Sequence, residues 1–201
     1  MSEQTEPPKT STLRERAWNL ALHADGTAAI FGMRASNLKL RIRILTFAGL
    51  CIPMAVGLIV LAGIPKPSLL PYVVTLAGVL GTFQTLGSLA SLVFDWNGAY
   101  AGAVRSVAAN KQLSESFIRL AQLPPEEETQ IAHELAVIEA QDSAQRTLDD
   151  AQQITSEEKR FGMRAALFNR AKECAQCKLT PASMNPTECG VCGDFPKRWS
   201  K

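Results

Sequence analysis

Two long stretches without a charged residue limit what this chain can fold into. The first is the 22 residues between Arg43 and Lys66, and the second is the 28 residues between Lys66 and Asp95. A helix crosses the hydrocarbon core of a bilayer with about 20 apolar residues, at about 1.5 Å each. Both stretches are long enough, so the sequence predicts two membrane spans rather than a buried helix pair of a soluble protein.

The two spans are predicted to form a helical hairpin. The first span covers residues 44–64, the second covers residues 71–94, and the connection PKPSLLP between them holds three prolines, which favour a turn. A mean hydropathy of +0.01 hides this uneven distribution. We therefore expect an all-α membrane protein whose two-span hairpin, over residues 44–96, is flanked by cytosolic helices.

Basic residues predict the orientation of the hairpin. The connection carries only Lys66, whereas four basic residues precede the first span: Arg34, Lys39, Arg41 and Arg43. Because Lys and Arg concentrate on the cytoplasmic side of a membrane, both termini are predicted to be cytoplasmic. Trp96 and Tyr100 follow the second span and suit the interface with lipid headgroups.

Four of the five cysteines lie in two CxxC pairs that are separated by 11 residues: Cys174, Cys177, Cys189 and Cys192. In a reducing cytoplasm disulfides are disfavoured, and this spacing is typical of a closed, tetrahedral, structural zinc site. Two disulfides, an iron–sulfur cluster or a redox-active pair are the alternatives. Four nearby basic residues are expected to offset the negative charge of the site: Lys178, Lys197, Arg198 and Lys201.

The remaining sequence predicts helices in a simple order. Residues 1–11 are expected to be disordered, and residues 12–43 to form N-terminal cytosolic helices that start near Leu13 and break at Asp25–Gly26. Residues 97–173 are expected to form a cytosolic helical region, with Pro124–Pro125 between two helices and a capping box at Thr155–Glu158. Residues 174–201 then form the four-cysteine module and tail, in which Pro181 and Pro186 indicate loops. A zinc site is expected to supply the folding free energy that so short a segment lacks.

The second span carries a stripe of small and polar residues at alternating spacings of four and three, which places them on one helix face: Ala77, Gly81, Gln84, Ser88, Ser91 and Asp95. The opposite side is apolar and suited to lipid: Leu76, Val79, Phe83, Leu86 and Val93. The favoured interpretation is a helix-packing seam. The alternative is a pore lining in a homo-oligomer, with Asp95 at the cytoplasmic mouth.

No catalytic constellation is recognisable, so we do not expect an enzyme. His23 and His133 lie far apart in sequence and are expected at the surface, and no serine elbow or phosphate loop is present. Residues 124–160 carry ten acidic and three basic side chains, whereas residues 161–201 carry three acidic and seven basic ones. This pattern predicts solvated helix faces and gives no strong nucleic-acid signal.

The cysteine motif and its 11-residue spacer, following a two-span hairpin with helices on both sides, resemble a bacterial family. These are the mobile-element proteins named for the CxxCx(11)CxxC motif, within the SLATT superfamily of SMODS- and SLOG-associating two-transmembrane effectors. The resemblance implies an inner-membrane effector of a conflict or anti-phage defence system. In such systems a partner protein senses phage or produces a nucleotide signal, and the effector then perforates the membrane.

Three functions are compatible with these features of the sequence. The leading hypothesis is a homo-oligomeric effector that forms a pore or disrupts the membrane lipid when it is triggered. The alternative is a membrane-anchored adaptor whose zinc module recruits a protein partner. A weaker third hypothesis is a redox sensor that releases zinc when the thiolates are oxidised.

Overall fold

The computed structural model describes residues 9–62 and 70–199. Within these residues there is no strand, and 78% of them are helical, which confirms the all-α class. The described part also contains two helices long and apolar enough to cross a membrane and a four-cysteine cluster. The helices are α1 (Lys9–Leu61), α2 (Leu70–Val93), α3 (Trp96–Gln122), α4 (Glu128–Asp150) and α5 (Ser156–Arg170), followed by a 3₁₀ turn, Lys197–Trp199.

The bounds of α2 and the starts of α3 and α5 agree with the sequence to within about one residue, whereas the start of α1 does not. Helix α1 begins at Lys9 rather than near Leu13, because no proline or glycine interrupts residues 9–12. Residues 1–8 of the predicted disordered segment lie outside the described residues. The same is true of residues 63–69, which contain most of the predicted proline turn.

The chain divides into two compact units. Residues 34–102 form one, which we call the hairpin unit, and residues 1–33 with 103–201 form the other, which we call the cysteine unit. The cysteine segment therefore belongs to the same unit as α4 and α5.

In the hairpin unit, α1 and α2 pack along a seam of half-buried residues spaced three and four apart. On α1 these include Leu38, Ile42, Leu45, Gly49, Ile52 and Val56, and on α2 they include Ala77, Gln84, Gly87, Ser88 and Ser91. Gly87 allows close contact, since a Cβ atom there would lie 3.0 Å from Cδ1 of Leu45. The residues predicted to face lipid are exposed, as expected: Leu76, Val79, Phe83, Leu86 and Val93. Small residues inside and large apolar residues outside are typical of helices that pair in a membrane.

The core of the cysteine unit combines a small-residue face of α1 with large residues of α3 and α4. Ala17, Ala21 and Ala24 are buried at spacings of four and three, so the α1 backbone can approach its neighbours closely. The partners are bulky and fill the space that the alanines leave: Leu113, Phe117, Leu120, Ile131 and Leu135. Leu13 and Leu20 are partly buried against the same core, as the periodicity of α1 predicts.

The predicted break at Asp25–Gly26 is wrong, since α1 continues through both residues. Gly26 is buried against α5, and a Cβ atom on Gly162 would lie 2.5 Å from the carbonyl oxygen of Gly26. The two glycines therefore allow α1 and α5 to cross in backbone contact. Asp25 accepts a hydrogen bond from Nε of Arg170, at 2.7 Å, which adds a second link between these helices.

The glycine crossing gives a direct stability prediction. We expect Gly162→Ala to lower the free energy of unfolding by about 1–3 kcal/mol, because the new methyl group meets backbone that cannot move aside. Gly32→Ala is the matched control, since a Cβ atom there has no atom within 4 Å. Urea unfolding of the detergent-purified protein, followed by circular dichroism, measures both. Equal stabilities of the two variants would contradict the crossing.

Candidate metal centre

Helix α5 positions the cysteine segment, and its own ends are well defined. Thr155 Oγ1 accepts a hydrogen bond from the backbone N–H of Glu158 at 3.2 Å, and Glu158 Oε2 accepts one from the backbone N–H of Thr155 at 2.8 Å. The predicted capping box is confirmed. At the other end Ala171 adopts a left-handed conformation, φ 48°, which terminates the helix three residues before Cys174.

Each CxxC pair sits on a turn closed by the same backbone hydrogen bond. The N–H of Lys178 donates to the carbonyl of Cys174, and the N–H of Gly193 donates to the carbonyl of Cys189, both at 2.9 Å. Gly193 packs so tightly against Thr187 that a side chain would clash with its backbone and hydroxyl group. The two turns thereby bring all four sulfurs into one cluster.

The spacing of the sulfurs fits a metal ion. All four Sγ atoms lie within 4.8 Å of one another, and the Cys174–Cys189 and Cys177–Cys192 pairs are each 3.9 Å apart. A tetrahedral ion with metal–sulfur bonds of about 2.3 Å requires sulfurs about 3.8 Å apart. A disulfide requires about 2.05 Å, and all four cysteines are free thiols. The four side chains can therefore hold one metal ion.

The pKa values of two of the thiols, Cys189 and Cys192, are shifted in opposite directions. The backbone N–H groups of Val191 and Cys192 point at the sulfur of Cys189 and lower its pKa to about 6. Burial raises the pKa of Cys192. The cluster thus offers a thiolate at neutral pH, and its buried members must release protons when a metal ion binds.

The cysteine segment shares its core with α5. Cys174 and Cys192 are buried with Leu167, and Leu22 and Met163 pack against the same cluster. Close by, Phe195 contacts Phe161 edge to face, with ring centroids 5.6 Å apart. Trp199 also contacts Phe161, at 6.0 Å. The metal centre is therefore embedded in the cysteine unit.

One basic residue that contacts the cysteine segment was not predicted from the sequence. Lys178, Lys197 and Arg198 are exposed, and Lys201 lies outside the described residues. Instead Arg164 of α5 is buried, and its guanidinium donates to the carbonyls of Ser183 (2.9 Å) and Cys192 (3.4 Å). The spacing in the sequence could have indicated this position. Arg164 lies three residues from both Phe161 and Leu167, which places it on the apolar face of α5.

The stripe of small and polar residues on the second span lies mostly on α2, and Asp95 alone lies beyond the end of this helix. Gln84 Nε2 donates to the carbonyl of Leu45 on α1, at 3.0 Å. Ala77, Ser88 and Ser91 are half-buried and Gly81 is exposed, so most of the stripe lies towards α1. The residues around Gln84 border a groove of about 450 Å³ between α1 and α2.

Asp95 lies beyond the end of α2, so the helical stripe ends at Ser91. It has φ 43°, and its Oδ1 accepts a hydrogen bond from the backbone N–H of Gly98 at 3.0 Å. This is the position and chemistry of an N-cap for α3.

A cavity of about 560 Å³ in the cysteine unit was not expected from the sequence. Its lining brings together charged residues from α1, α4 and α5, among them His23, Asp142, Arg146, Asp149 and Lys159. Several of these groups are paired: Arg146 with Asp142 at 2.6 Å, and Asp149 with the Asn110 amide at 2.7 Å. Burial, and then the Arg146 charge, lower the pKa of His23, and Asp142 opposes this shift. His23 and His133 are both exposed residues, as predicted.

The fold and the site together define a class of helical protein with two candidate membrane spans and a four-cysteine metal centre. The family model for the mobilome CxxCx(11)CxxC proteins matches residues 14–195, which is most of the chain. The protein belongs to this family. No curated protein and no solved structure matches the chain.

Removing one ligand tests the centre directly. We expect the full-length protein to bind one metal ion per chain and Cys192→Ser to lose it, because three thiolates leave the shell open. Cys51→Ser is the control, since Cys51 belongs to the hairpin unit and is not one of the four clustered cysteines. Elemental analysis after gel filtration gives the metal content. Retention of metal by Cys192→Ser would contradict a four-thiolate site.

Proposed function

We propose that this protein is a bacterial inner-membrane effector of a conflict or anti-phage defence system, within the SLATT superfamily. On a trigger it would assemble into a homo-oligomer and form a pore or disrupt the lipid bilayer. The observation that carries the proposal is the hairpin unit, which has large exposed apolar side chains outside and a polar seam around Gln84 inside. Membership of a mobilome family agrees with a role in such conflicts.

In this proposal α1 and α2 cross the membrane with both termini in the cytoplasm. Support comes from Lys39, Arg41 and Arg43, which are exposed on α1 directly before its apolar part. The cysteine unit would then lie in the cytoplasm, where a partner protein or a nucleotide signal could reach it. A reducing compartment also suits four free thiols.

The polar seam would act in two states. Two spans cannot enclose a pore, so a channel requires several copies around an axis. In the resting chain Gln84 bonds to the Leu45 carbonyl, and Ser88 and Ser91 face α1. Separation of α2 from α1 would free these groups to line a water-filled path.

We propose that the metal ion is zinc and that its role is structural. Four thiolates leave no open coordination position for a substrate or water. The buried cysteines share a core with Leu167, so zinc would hold the loop-rich segment after α5 against that helix. The binding free energy of such sites, on the order of 10 kcal/mol, is large compared with what a segment of this size gains by burial.

A second candidate function is a membrane-anchored adaptor. The observation that favours it is exposed apolar surface beside the metal centre, where Leu179 is 69% exposed and Val191 is 39% exposed. A protein partner could dock there, with the two spans serving only as an anchor. This role needs the cysteine segment but not the polar seam.

The double variant Gln84→Leu, Ser88→Leu separates these functions. We expect the wild-type protein to depolarise cells on over-expression and to release potassium from liposomes, and the double variant to lose both activities because its seam is apolar. Phe83→Leu is the matched control, since Phe83 is 70% exposed on the other side of α2. Oligomer mass in detergent shows whether each variant still assembles.

Each outcome has a separate meaning. Sealed liposomes with the assembled wild-type oligomer, together with cells that stay polarised on over-expression, would refute the effector proposal. Full activity of the assembled double variant would refute a role for the seam. An adaptor instead tolerates the double variant and loses its biological effect with Leu179→Asp and Val191→Asp together.

A further inference from the structure

Arg164 is a charged side chain in an unusual place. It is 6% exposed, on the face of α5 that carries Phe161 and Leu167. Burying a guanidinium without compensation is costly, so buried arginines are normally paired with acids. Among the residues that the structure describes, none forms an ion pair with Arg164, and its hydrogen-bond partners are the carbonyls of Ser183 and Cys192.

The two carbonyls belong to different parts of the metal centre. Ser183 lies in the 11-residue spacer, and Cys192 is itself one of the four thiol residues. Arginine has a rigid planar fork of donors, which lets one side chain hold two acceptors in fixed positions. Arg164 therefore links α5 to the spacer and to the second CxxC turn at the same time.

The four-cysteine site with a metal ion bound would supply the negative charge that the Arg164 guanidinium does not obtain from an acidic side chain among the described residues. Four thiolates around a divalent ion carry a net charge of −2, and Cys174 and Cys192 are almost completely buried. Arg160 also reaches this region, but it is paired with Asp194, through Nη2 to the carboxylate at 3.1 Å. Arg164 is thus a buried, positively charged group beside a partly buried cluster that would be negatively charged with a divalent ion bound.

We propose that Arg164 is the positioning residue of the metal centre: it holds the spacer and the second CxxC turn on α5 and offsets the charge of the metal-bound thiolates. This inference rests on the proposed binding of a divalent metal by the four cysteines, and it is independent of pore formation. It also links metal binding to the helix packing of the cysteine unit. Gly162, two residues earlier on α5, is the residue that contacts Gly26 of α1.

The affinity for zinc tests the proposal. We expect Arg164→Met to raise the zinc dissociation constant of the full-length protein in detergent about 10- to 100-fold, the usual effect of removing a group that supports metal ligands. Competition with a chromogenic chelator measures it. Arg164→Lys keeps the positive charge but lacks the planar fork of donors. Its zinc dissociation constant should lie between those of the wild-type protein and Arg164→Met. Lys178→Met is the matched control, because Lys178 is exposed although it adjoins Cys177.

A spectroscopic measurement distinguishes charge compensation from general stability. In the Co²⁺-loaded protein, the thiolate-to-metal charge-transfer band reports the electrostatic surroundings of the sulfurs. Arg164→Met should shift this band, whereas Lys178→Met and Gly162→Ala should leave it in place. Gly162→Ala is informative here because it disturbs the packing of α5 without removing a charge.

The outcomes separate the two proposals. A wild-type protein that binds no zinc refutes the metal proposal and Arg164 with it. A wild-type protein that binds zinc while Arg164→Met has the same affinity and the same Co²⁺ band refutes only the role of Arg164. If Arg164→Met does not fold, Arg164→Lys carries the comparison, and wild-type affinity with an unshifted band in that variant overturns the proposal.

Discussion

The backbone contact between Gly26 and Gly162 is the constraint on which the cysteine unit depends. It brings α5 against α1 at a distance that no side chain would allow. Once α5 is held there, Arg170 reaches Asp25 and Ser114, so that the end of α5 is tied to both α1 and α3. Leu22 and Met163 then meet beside the buried cysteines. A glycine inside a helix costs about 1 kcal/mol relative to alanine, which the close crossing must offset.

The segment after α5 is not stabilised by helix–helix packing, and the candidate metal centre lies in this segment. After Arg170 the described chain contains no further α-helix, and the segment is held by turns, two CxxC pairs and a few aromatic contacts. Loops of this kind bury little apolar surface, so metal–thiolate bonds would replace a core once the four cysteines hold an ion. The cysteines are buried against Leu167 of α5 rather than exposed to solvent. Metal binding and the packing of α5 are therefore expected to stabilise each other. Metal loss is therefore expected to disturb α5 as well as the loop.

Local chemistry could be predicted from the sequence, and long-range pairing could not. The breaks before α4 and α5 follow from Pro124–Pro125 and from the capping box at Thr155, and the four-cysteine cluster follows from ligand spacing, because each signal lies within a few residues. The continuity of α1 was missed because Gly26 is explained only by Gly162, far away in the chain. Arg164 and the cavity around His23 were missed for the same reason. The predicted set of basic residues near the site did not include Arg164, because the burial of a charged side chain is not visible in the local sequence.

The polar seam of the hairpin unit reconciles the two interpretations of the Gln84 stripe. One hydrogen bond between membrane helices contributes about 0.6 kcal/mol on average, since an unpaired group finds other partners in the separated state. The bond from Gln84 to the Leu45 carbonyl is therefore too weak by itself to prevent separation of α1 and α2. Gly49 and Gly87 add close contact but no covalent or ionic link. In the proposed effector, the same residues would pack α1 against α2 in one state and line a path in another.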